Sequence, residues 1–158
     1  MSNIETQILK LLDEAAIRDV TARFADAAMR ADYDSFRSVW AEDAHWSIGN
    51  PPKVFATGAD NIVAMLEKLR AGKEFFVQFA AQGSIVIKGD EAVTQCLCHE
   101  AARGPGEIYY RNHCVAFDKL KRSTDGWVFI SRTFQYIWLD TSPFTGSAFP
   151  VPERGIGQ

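Results

Sequence analysis

Proton exchange near neutral pH is ordinarily done by histidine, and the chain contains three: His45, His99 and His113. Each lies in a segment whose residue types indicate a β-strand. Side chains on a strand alternate between its two faces, so the parity of each position decides whether its imidazole can enter a pocket. Inside a pocket such a histidine would be a general acid or base, whereas a lone histidine elsewhere is ordinarily structural.

Arg132, Tyr110 and Asn112 are the other polar side chains that could hold charge on a substrate oxygen. Arginine stays charged at any working pH, so inside an apolar interior Arg132 must meet an anion. That anion is either an oxygen of a ligand or a carboxylate of the chain. The carboxylates considered as partners are Asp19, Asp26 and Glu100.

The three cysteines, Cys96, Cys98 and Cys114, lack the paired spacing of a structural zinc site. Their odd number suits reduced thiols that fill a core. Elsewhere no histidine or carboxylate spacing is typical of metal ligands, so we expect no metal and no cofactor.

Length and charge narrow the function further. A chain of 158 residues fits one domain. Its net charge of −3 and the absence of a basic stripe argue against nucleic acid as a partner. No apolar run suits a membrane span and no leader pattern is present, so we expect no membrane contact and a cytoplasmic location.

Helical spacing dominates the first half of the sequence. Ser2 begins a capping-box pattern, and apolar residues then recur with helical spacing as far as Ala28. Asp32 is placed to cap a second, short helix. Thr57 is placed to cap a third helix that ends at Gly72.

Strand patterns dominate the second half. A short strand is indicated at 44–48, followed by a loop at Asn50-Pro51-Pro52, and four long strands are indicated from Phe75 onward. Helices followed by strands predict an α+β domain over 1–140. The tail at 141–158 is predicted to be irregular, and we expect its aromatic residues to hold it against the domain. The turns between the long strands are predicted at Gly89-Asp90, Gly104-Pro105-Gly106 and Asp125-Gly126.

This order of elements comes with several short motifs. They are Ala16-Ile17-Arg18-Asp19, Trp40-Ala41-Glu42-Asp43-Ala44-His45-Trp46, Gly89-Asp90, Asp125-Gly126-Trp127 and the tail from Pro143-Phe144-Thr145-Gly146 to Phe149-Pro150. Together they resemble the SnoaL-like branch of the nuclear transport factor 2-like superfamily, in the neighbourhood of hexachlorocyclohexane dehydrochlorinase and scytalone dehydratase.

The resemblance implies a cone-shaped barrel, in which a curved, mostly antiparallel sheet and three N-terminal helices enclose an apolar pocket. It also implies cofactor-free chemistry by lyases, dehydratases, isomerases or hydrolases, although the fold serves binding and dimerisation as well. Dehydrochlorinase-like members carry an Asp–His dyad. Met29 and Gln78 stand at the two dyad positions here, and neither exchanges protons near neutral pH.

When the family pattern is aligned at the Gly89-Asp90 turn, it predicts which strand residues point into the pocket. They are His99, Tyr110, Asn112, Cys114, Arg132, Phe134, Tyr136 and Trp138. With Met29, Trp46 and Gln78 they would form a pocket for a flat aromatic ligand. His99 would be the general base or acid. A one-residue slip would exchange these positions for Glu100, Arg111 and His113.

The resulting hypothesis is a cofactor-independent lyase, dehydratase or isomerase acting on a small aromatic or polycyclic compound. His99 would abstract the proton, and Arg132, Tyr110 and Asn112 would stabilise the oxyanion. A binding protein of the same fold is the alternative, since the dyad is absent. A third reading is an assembly module that uses an outer sheet face with Trp127, Phe129 and Ile137, and any of the three is expected to form a homodimer or homotrimer.

Overall fold

The chain forms three helices and one sheet, as the sequence predicts. Two of the helices precede the first strand, and the third lies between the second and third strands along the chain. The computed structural model describes residues 2–49 and 53–155, so the predicted Asn50-Pro51-Pro52 loop lies outside the described residues. The helices are α1 (Asn3–Arg30), α2 (Tyr33–Ser38) and α3 (Ala59–Arg70). The strands are β1 (Trp40–Ile48), β2 (Val54–Thr57), β3 (Phe75–Lys88), β4 (Glu91–Gly104), β5 (Ile108–Ser123) and β6 (Gly126–Asp140).

The first two helices begin at the predicted caps. The Glu5 backbone N–H donates to Ser2 Oγ and the Ser2 N–H donates back to the Glu5 carboxylate, which completes a capping box. Ala31 ends α1 in the left-handed conformation. The next residue, Asp32, accepts the Ser35 N–H at 3.1 Å and starts α2. The chain therefore reverses direction within a few residues.

The predicted cap of the third helix is wrong. Thr57 is the last residue of β2, a strand of four residues that the sequence reading missed. Gly58 occupies the cap position with a φ of 88° and donates its N–H to the Ala44 carbonyl. Only glycine adopts this backbone conformation readily, so the strand passes directly into α3.

The sheet has six strands in the order β2-β1-β6-β5-β4-β3 and is curved but not closed. The β1–β6 pairing is parallel, while the four long strands pair antiparallel. The predicted α+β class with a curved, mostly antiparallel sheet is confirmed. Three bulges interrupt the antiparallel ladders, one in β3 after Gln82 and two in β6, at Ile130 and Ile137, and the parallel β1–β6 register also shifts between Trp40 and His45. Each bulge moves the following residues to the opposite face of the sheet.

An aromatic core fills the space between α1 and the inner face of the sheet. The Phe24 ring lies 5.0 Å from the Phe36 ring and 5.9 Å from the rings of Trp46 and Phe129, measured between centroids. Trp127 is buried in this core too. The prediction that Trp127 and Phe129 lie on the outer face is therefore wrong, because the bulge at Ile130 reverses the parity assumed along β6.

Residues 141–155 contain neither helix nor strand. Phe144 packs against Phe75 and Tyr109, with ring centroids 6.0 and 5.6 Å away. By contrast, the other tail phenylalanine, Phe149, is exposed. Arg154 binds the Asp26 carboxylate of α1, so the tail is held by ion pairs as well as by an aromatic side chain. Over the described residues, no helix has the length and apolar content that crossing a bilayer requires.

Candidate functional site

A cavity of about 360 Å³ lies between α1, α3 and the inner face of the sheet. This volume is typical of a site for a small organic molecule. Most of the wall is apolar, with Phe24, Trp46, Leu66, Leu69 and Phe76 among its residues. The polar lining is confined to Arg70, Lys73, Gln78, Glu100, Thr141 and three tyrosines, Tyr109, Tyr110 and Tyr136.

Glu100 is the acidic group of this cavity. Its Oε2 accepts a hydrogen bond of 2.9 Å from Asn112 Nδ2, and its Oε1 accepts one from Gln78 Nε2. Both partners come from neighbouring strands, since Gln78 and Asn112 are the register partners of Glu100 on β3 and β5. The sheet therefore fixes the carboxyl group between two amides.

Burial raises the pKa of Glu100, and the two amide hydrogen bonds only partly oppose this by favouring the charged form. A carboxyl group in such an environment can both take and give a proton closer to neutrality than an exposed glutamate. Each amide donates an N–H to Glu100, and the carbonyl oxygens of Gln78 and Asn112 have no partner among the described residues. The site thus offers an acid–base group with two free acceptors beside it.

Two tyrosines stand near this carboxyl group. Burial raises the pKa of Tyr136 to about 12, and the charge of Glu100 adds to the effect. The pKa of Tyr110 is raised for the same two reasons, burial first. Both hydroxyls therefore stay protonated at working pH and can donate to a ligand oxygen.

Arg70 and Lys73 supply the positive charge. The Arg70 Nη2 donates to the Met29 carbonyl at 3.1 Å, and its guanidinium carbon lies 5.2 Å from the centre of the Phe76 ring. The Lys73 ammonium donates to the Leu69 carbonyl and lies 5.8 Å from the centre of the Tyr110 ring. Burial lowers the pKa of both groups, and the positive charge of Arg70 lowers the pKa of Lys73 further.

Several residues predicted for the pocket meet there. Trp46, Gln78, Tyr110 and Tyr136 line the cavity, and Asn112 reaches it through Glu100. Phe134 packs behind the wall, with its ring 6.3 Å from that of Trp46. Met29, Cys114 and Arg132 do not line this cavity, and Met29 instead borders a neighbouring cavity beneath the tail.

The predicted inward orientation of His99 is wrong. On β4 the buried positions are the even-numbered ones, so Glu100 points inward and His99 lies on the outer face. There its ring stacks with Phe79 at 6.5 Å and lies 4.6 Å from the ring of His113. The inner face of this strand carries small residues where it packs against the core, while Leu97 is exposed on the outer face, so apolar composition gave no guide to parity.

Trp138 also lies on the outer face, with 47% of its surface exposed. The bulge at Ile137 reverses parity between Tyr136 and Trp138, so Leu139 lines the cavity instead. Ile137 itself is exposed, as predicted. Strand parity therefore held over the middle of β6 and failed beyond each bulge.

Arg132 faces inward, but it lies in the core and has no exposed surface. Its Nη1 is 3.4 Å from Asp118 Oδ2, and its guanidinium carbon lies 4.3 Å from the centre of the Phe24 ring. Asp118 is thus its carboxylate partner, and none of the three carboxylates considered from the sequence has this role. Asp19 and Asp26 instead pair with Arg23 and Arg30 along α1. Cys114 is buried close to Cys98, and all three thiols are free.

Sequence reasoning missed Arg70 and Lys73 as site residues. A signal was available for Arg70, because residues 62, 66, 69 and 70 follow the helical spacing of one face, on which Ile62 and Leu66 are buried. Lys73 lies beyond the end of α3, so this spacing does not place it. The sequence predicts Glu100 in the pocket only if the inward positions of the strands shift by one residue. Within the described ranges, no three His, Cys, Asp or Glu side chains are grouped as metal ligands.

Comparisons with known proteins agree with this architecture. The LinA-type3 hexachlorocyclohexane dehydrochlorinase from Novosphingobium barchaimii LL02 superposes with a TM-score of 0.78 at 15% identity, over 92% of this chain and 99% of that one. A protein from Novosphingobium aromaticivorans provisionally assigned as a scytalone dehydratase gives 0.75 at 16% identity, over 87% and 93%. An NTF2-like protein with a cystatin-like fold from the same species gives 0.72 at 20% identity, over 85% and 88%.

At these identities the likeness shows the fold alone. No curated protein matches the chain. The sequence model of the SnoaL-like domain, however, matches residues 9–133, which is most of the chain. The protein therefore belongs to the SnoaL-like family.

Proposed function

We propose that this protein is a cofactor-independent lyase, dehydratase or isomerase that acts on a small aromatic or polycyclic compound, with Glu100 as its acid–base group. The observation that carries the proposal is a buried carboxyl group, held by Gln78 and Asn112, in the wall of a largely apolar cavity. The dehydrochlorinase and dehydratase among proteins of this fold support the same class of chemistry.

The reaction begins with Glu100 taking a proton from a carbon next to a carbonyl group. Its ionised carboxylate has about four lone-pair positions, of which the two amides occupy two, so a lone pair remains for the proton. The electron pair left on carbon moves onto the carbonyl oxygen. A hydroxyl from Tyr110 or Tyr136 then donates to that oxygen and stabilises the charge.

Two outcomes follow from this common step. Return of the proton to another carbon gives isomerisation. Loss of a β-hydroxyl group, which leaves with the proton from Glu100 as water, gives dehydration. Neither outcome requires a group beyond the side chains of the cavity.

Hydrogen exchange into carbonyl probes tests the proposal. Wild type is incubated in D₂O with a panel of bicyclic ketones, and deuterium at the α-carbon is followed by NMR. We expect exchange in wild type, loss of exchange in Glu100→Gln, and unchanged exchange in the matched control His99→Gln on the outer face. Exchange at the wild-type rate in Glu100→Gln would refute the role of this residue.

A non-catalytic binding protein is the second candidate. This candidate is supported by the family resemblance, in which Met29 and Gln78 stand where dehydrochlorinase-like members carry their Asp–His dyad. In addition, Gln78 donates its amide N–H to Glu100. Probes that bind in the cavity and are recovered without deuterium would favour this candidate over an enzyme.

We also propose that the outer sheet face associates with a second copy of the chain. This face carries seven exposed apolar side chains, namely Phe79, Val86, Val93, Leu97, Phe117, Ile137 and Trp138. At about half exposure, the three aromatic side chains, of about 150–250 Å² each, and the four smaller aliphatic ones together leave roughly 600 Å² uncovered. That approaches the about 800 Å² that each partner contributes to a stable interface and is at the upper end for patches on monomers.

Sedimentation velocity tests this association. Leu97→Lys places a charge in the middle of the face and should shift the protein to monomer. Thr124→Lys, in the exposed turn between β5 and β6, is the control and should leave the mass unchanged. A monomeric wild type would refute the proposal.

A further inference from the structure

We infer that the cavity takes an organic anion, a carboxylate carried on an aromatic or alicyclic body, and that Arg70 and Lys73 hold its charged group. The inference rests on the proposed function, since it assigns a substrate class to the same cavity. It concerns the two cationic side chains of the cavity wall.

The first observation is an incomplete set of hydrogen bonds at Arg70. Only Nη2 has a partner, the Met29 carbonyl. The Nε and Nη1 atoms are buried and have no acceptor among the described residues. Buried donors are nearly always satisfied in folded proteins, so orphaned guanidinium nitrogens in a cavity wall indicate a missing acceptor.

The second observation is the charge around Arg70. Each of the other arginines in the described part of the chain has a carboxylate in salt-bridge contact. Arg70 has none, and burial lowers the pKa of its guanidinium. A half-buried guanidinium without a counter-ion is unfavourable, because burial removes water without supplying a compensating charge.

Lys73 strengthens the case because it adds a second unpaired cation to the same wall. No carboxylate among the described residues forms a salt bridge with it, and Arg70 lies close enough to disfavour its charged form. Two cations facing one cavity repel each other unless an anion lies between them. Glu100 attracts Lys73 but is itself held by its two amides.

The shape of the wall defines the rest of the ligand. Phe24, Trp46 and Phe76 offer aromatic surface to a flat body. A ligand with its carboxylate at Arg70 and its rings on this surface fills the apolar part of the cavity. Tyr110, whose ring centre is 5.8 Å from the Lys73 ammonium, and Glu100, whose charge acts on Lys73, then lie beside the charged group of the ligand, where the proposed proton transfer takes place.

Paired probes test the inference by titration calorimetry. Benzoate, cinnamate and 2-naphthoate are each compared with the neutral amide of the same shape. We expect wild type to prefer at least one carboxylate over its amide by about tenfold or more, because charge-assisted hydrogen bonds are roughly twice as strong as neutral ones. Arg70→Gln should abolish that preference and leave amide binding unchanged, while Arg70→Lys should retain part of it.

Near-ultraviolet circular dichroism establishes that each variant is folded. Equal affinity for acids and amides in wild type, failure of every acid to bind, or an unchanged preference in Arg70→Gln would each overturn the inference. Failure of the proposed function is separate, because it is measured by deuterium exchange into neutral ketones. Carboxylate preference without exchange refutes the acid–base role alone, and exchange without carboxylate preference refutes the anion site alone.

Discussion

The ion pair between Arg132 and Asp118 is the part of the core most sensitive to the loss of a single side chain. Both side chains have no exposed surface, and the contact between Nη1 and Oδ2 is 3.4 Å. Asp118 also accepts a hydrogen bond of 3.2 Å from Thr94, and Arg132 lies against three aromatic rings. Each charge therefore depends on one oppositely charged partner.

Asp118→Asn removes the negative charge and leaves a fully buried guanidinium. Breaking a buried pair in this way costs about 3–5 kcal/mol, a large share of the roughly 5–15 kcal/mol that stabilises a typical domain. For a domain of this size each kcal/mol corresponds to about 2–4 °C in Tm. We therefore expect Asp118→Asn to lower Tm by roughly 10 °C.

Replacing both partners should cost much less than the sum of the two single changes. Arg132→Met keeps an unbranched side chain between the rings, and Asp118→Leu supplies an apolar neighbour without an uncompensated charge. Urea unfolding followed by tryptophan fluorescence measures the cycle, because Trp40 and Trp46 are both in the aromatic core. Additive losses, or a single loss below about 1 kcal/mol, would contradict this account of the pair.

Arg37 provides the matched control for that cycle. It forms salt bridges with Glu42 and Asp60, as Arg132 does with Asp118, but on the surface. Exposed pairs contribute little because water and salt screen them. Arg37→Met should therefore leave the urea midpoint unchanged.

Three further predictions follow from the site and the helix caps. Because burial raises the pKa of Glu100 in the folded chain, the contribution of this group to stability should fall as pH rises from about 4.3, the ordinary value, through the higher folded pKa. Carboxylates whose pKa is lowered, such as Asp13 and Asp26, act in the opposite direction, but wild type and Glu100→Gln share them. Urea midpoints at pH 4 and pH 7 should therefore show wild type losing stability relative to Glu100→Gln, and an unchanged difference between the two proteins would contradict it. His99→Gln should leave deuterium exchange at the wild-type rate, and a large fall would return the catalytic role to this histidine. Asp32→Ala removes the cap of α2 and should cost about 1 kcal/mol of unfolding free energy, with an unchanged Tm as the contrary result.

The elements of this fold were predictable because their signals are local. The Ser2 capping box and the Asp32 cap act over three or four residues, and both were read correctly. The β2 strand was not predicted, because four residues next to a proline pair give too short a pattern to recognise. Gly58 shows the same limit, since its cap role depends on a backbone angle that the residue type permits but does not require.

Which residues face the cavity was harder to predict, because a single inserted residue reverses the face of everything beyond it. Phe129 and Phe134 both point inward although their numbers differ by an odd count, and the bulge at Ile130 accounts for this. The bulge at Ile137 likewise moved Trp138 out of the pocket. A bulge depends on pairing with the next strand, and a pattern within one strand does not contain that information.

The polar centre of the cavity differs from the Asp–His dyad that the family resemblance implies. By the family resemblance, Gln78 stands at the position of the dyad histidine, and Glu100 is its cross-strand partner on β4. A histidine at position 78 would carry the proton itself, whereas the glutamine amide forms hydrogen bonds but does not exchange a proton near neutral pH. With glutamine at position 78, Glu100 is the titratable group of this cross-strand pair. The proposed chemistry is therefore assigned to a carboxylate on β4 and not to an imidazole on β3.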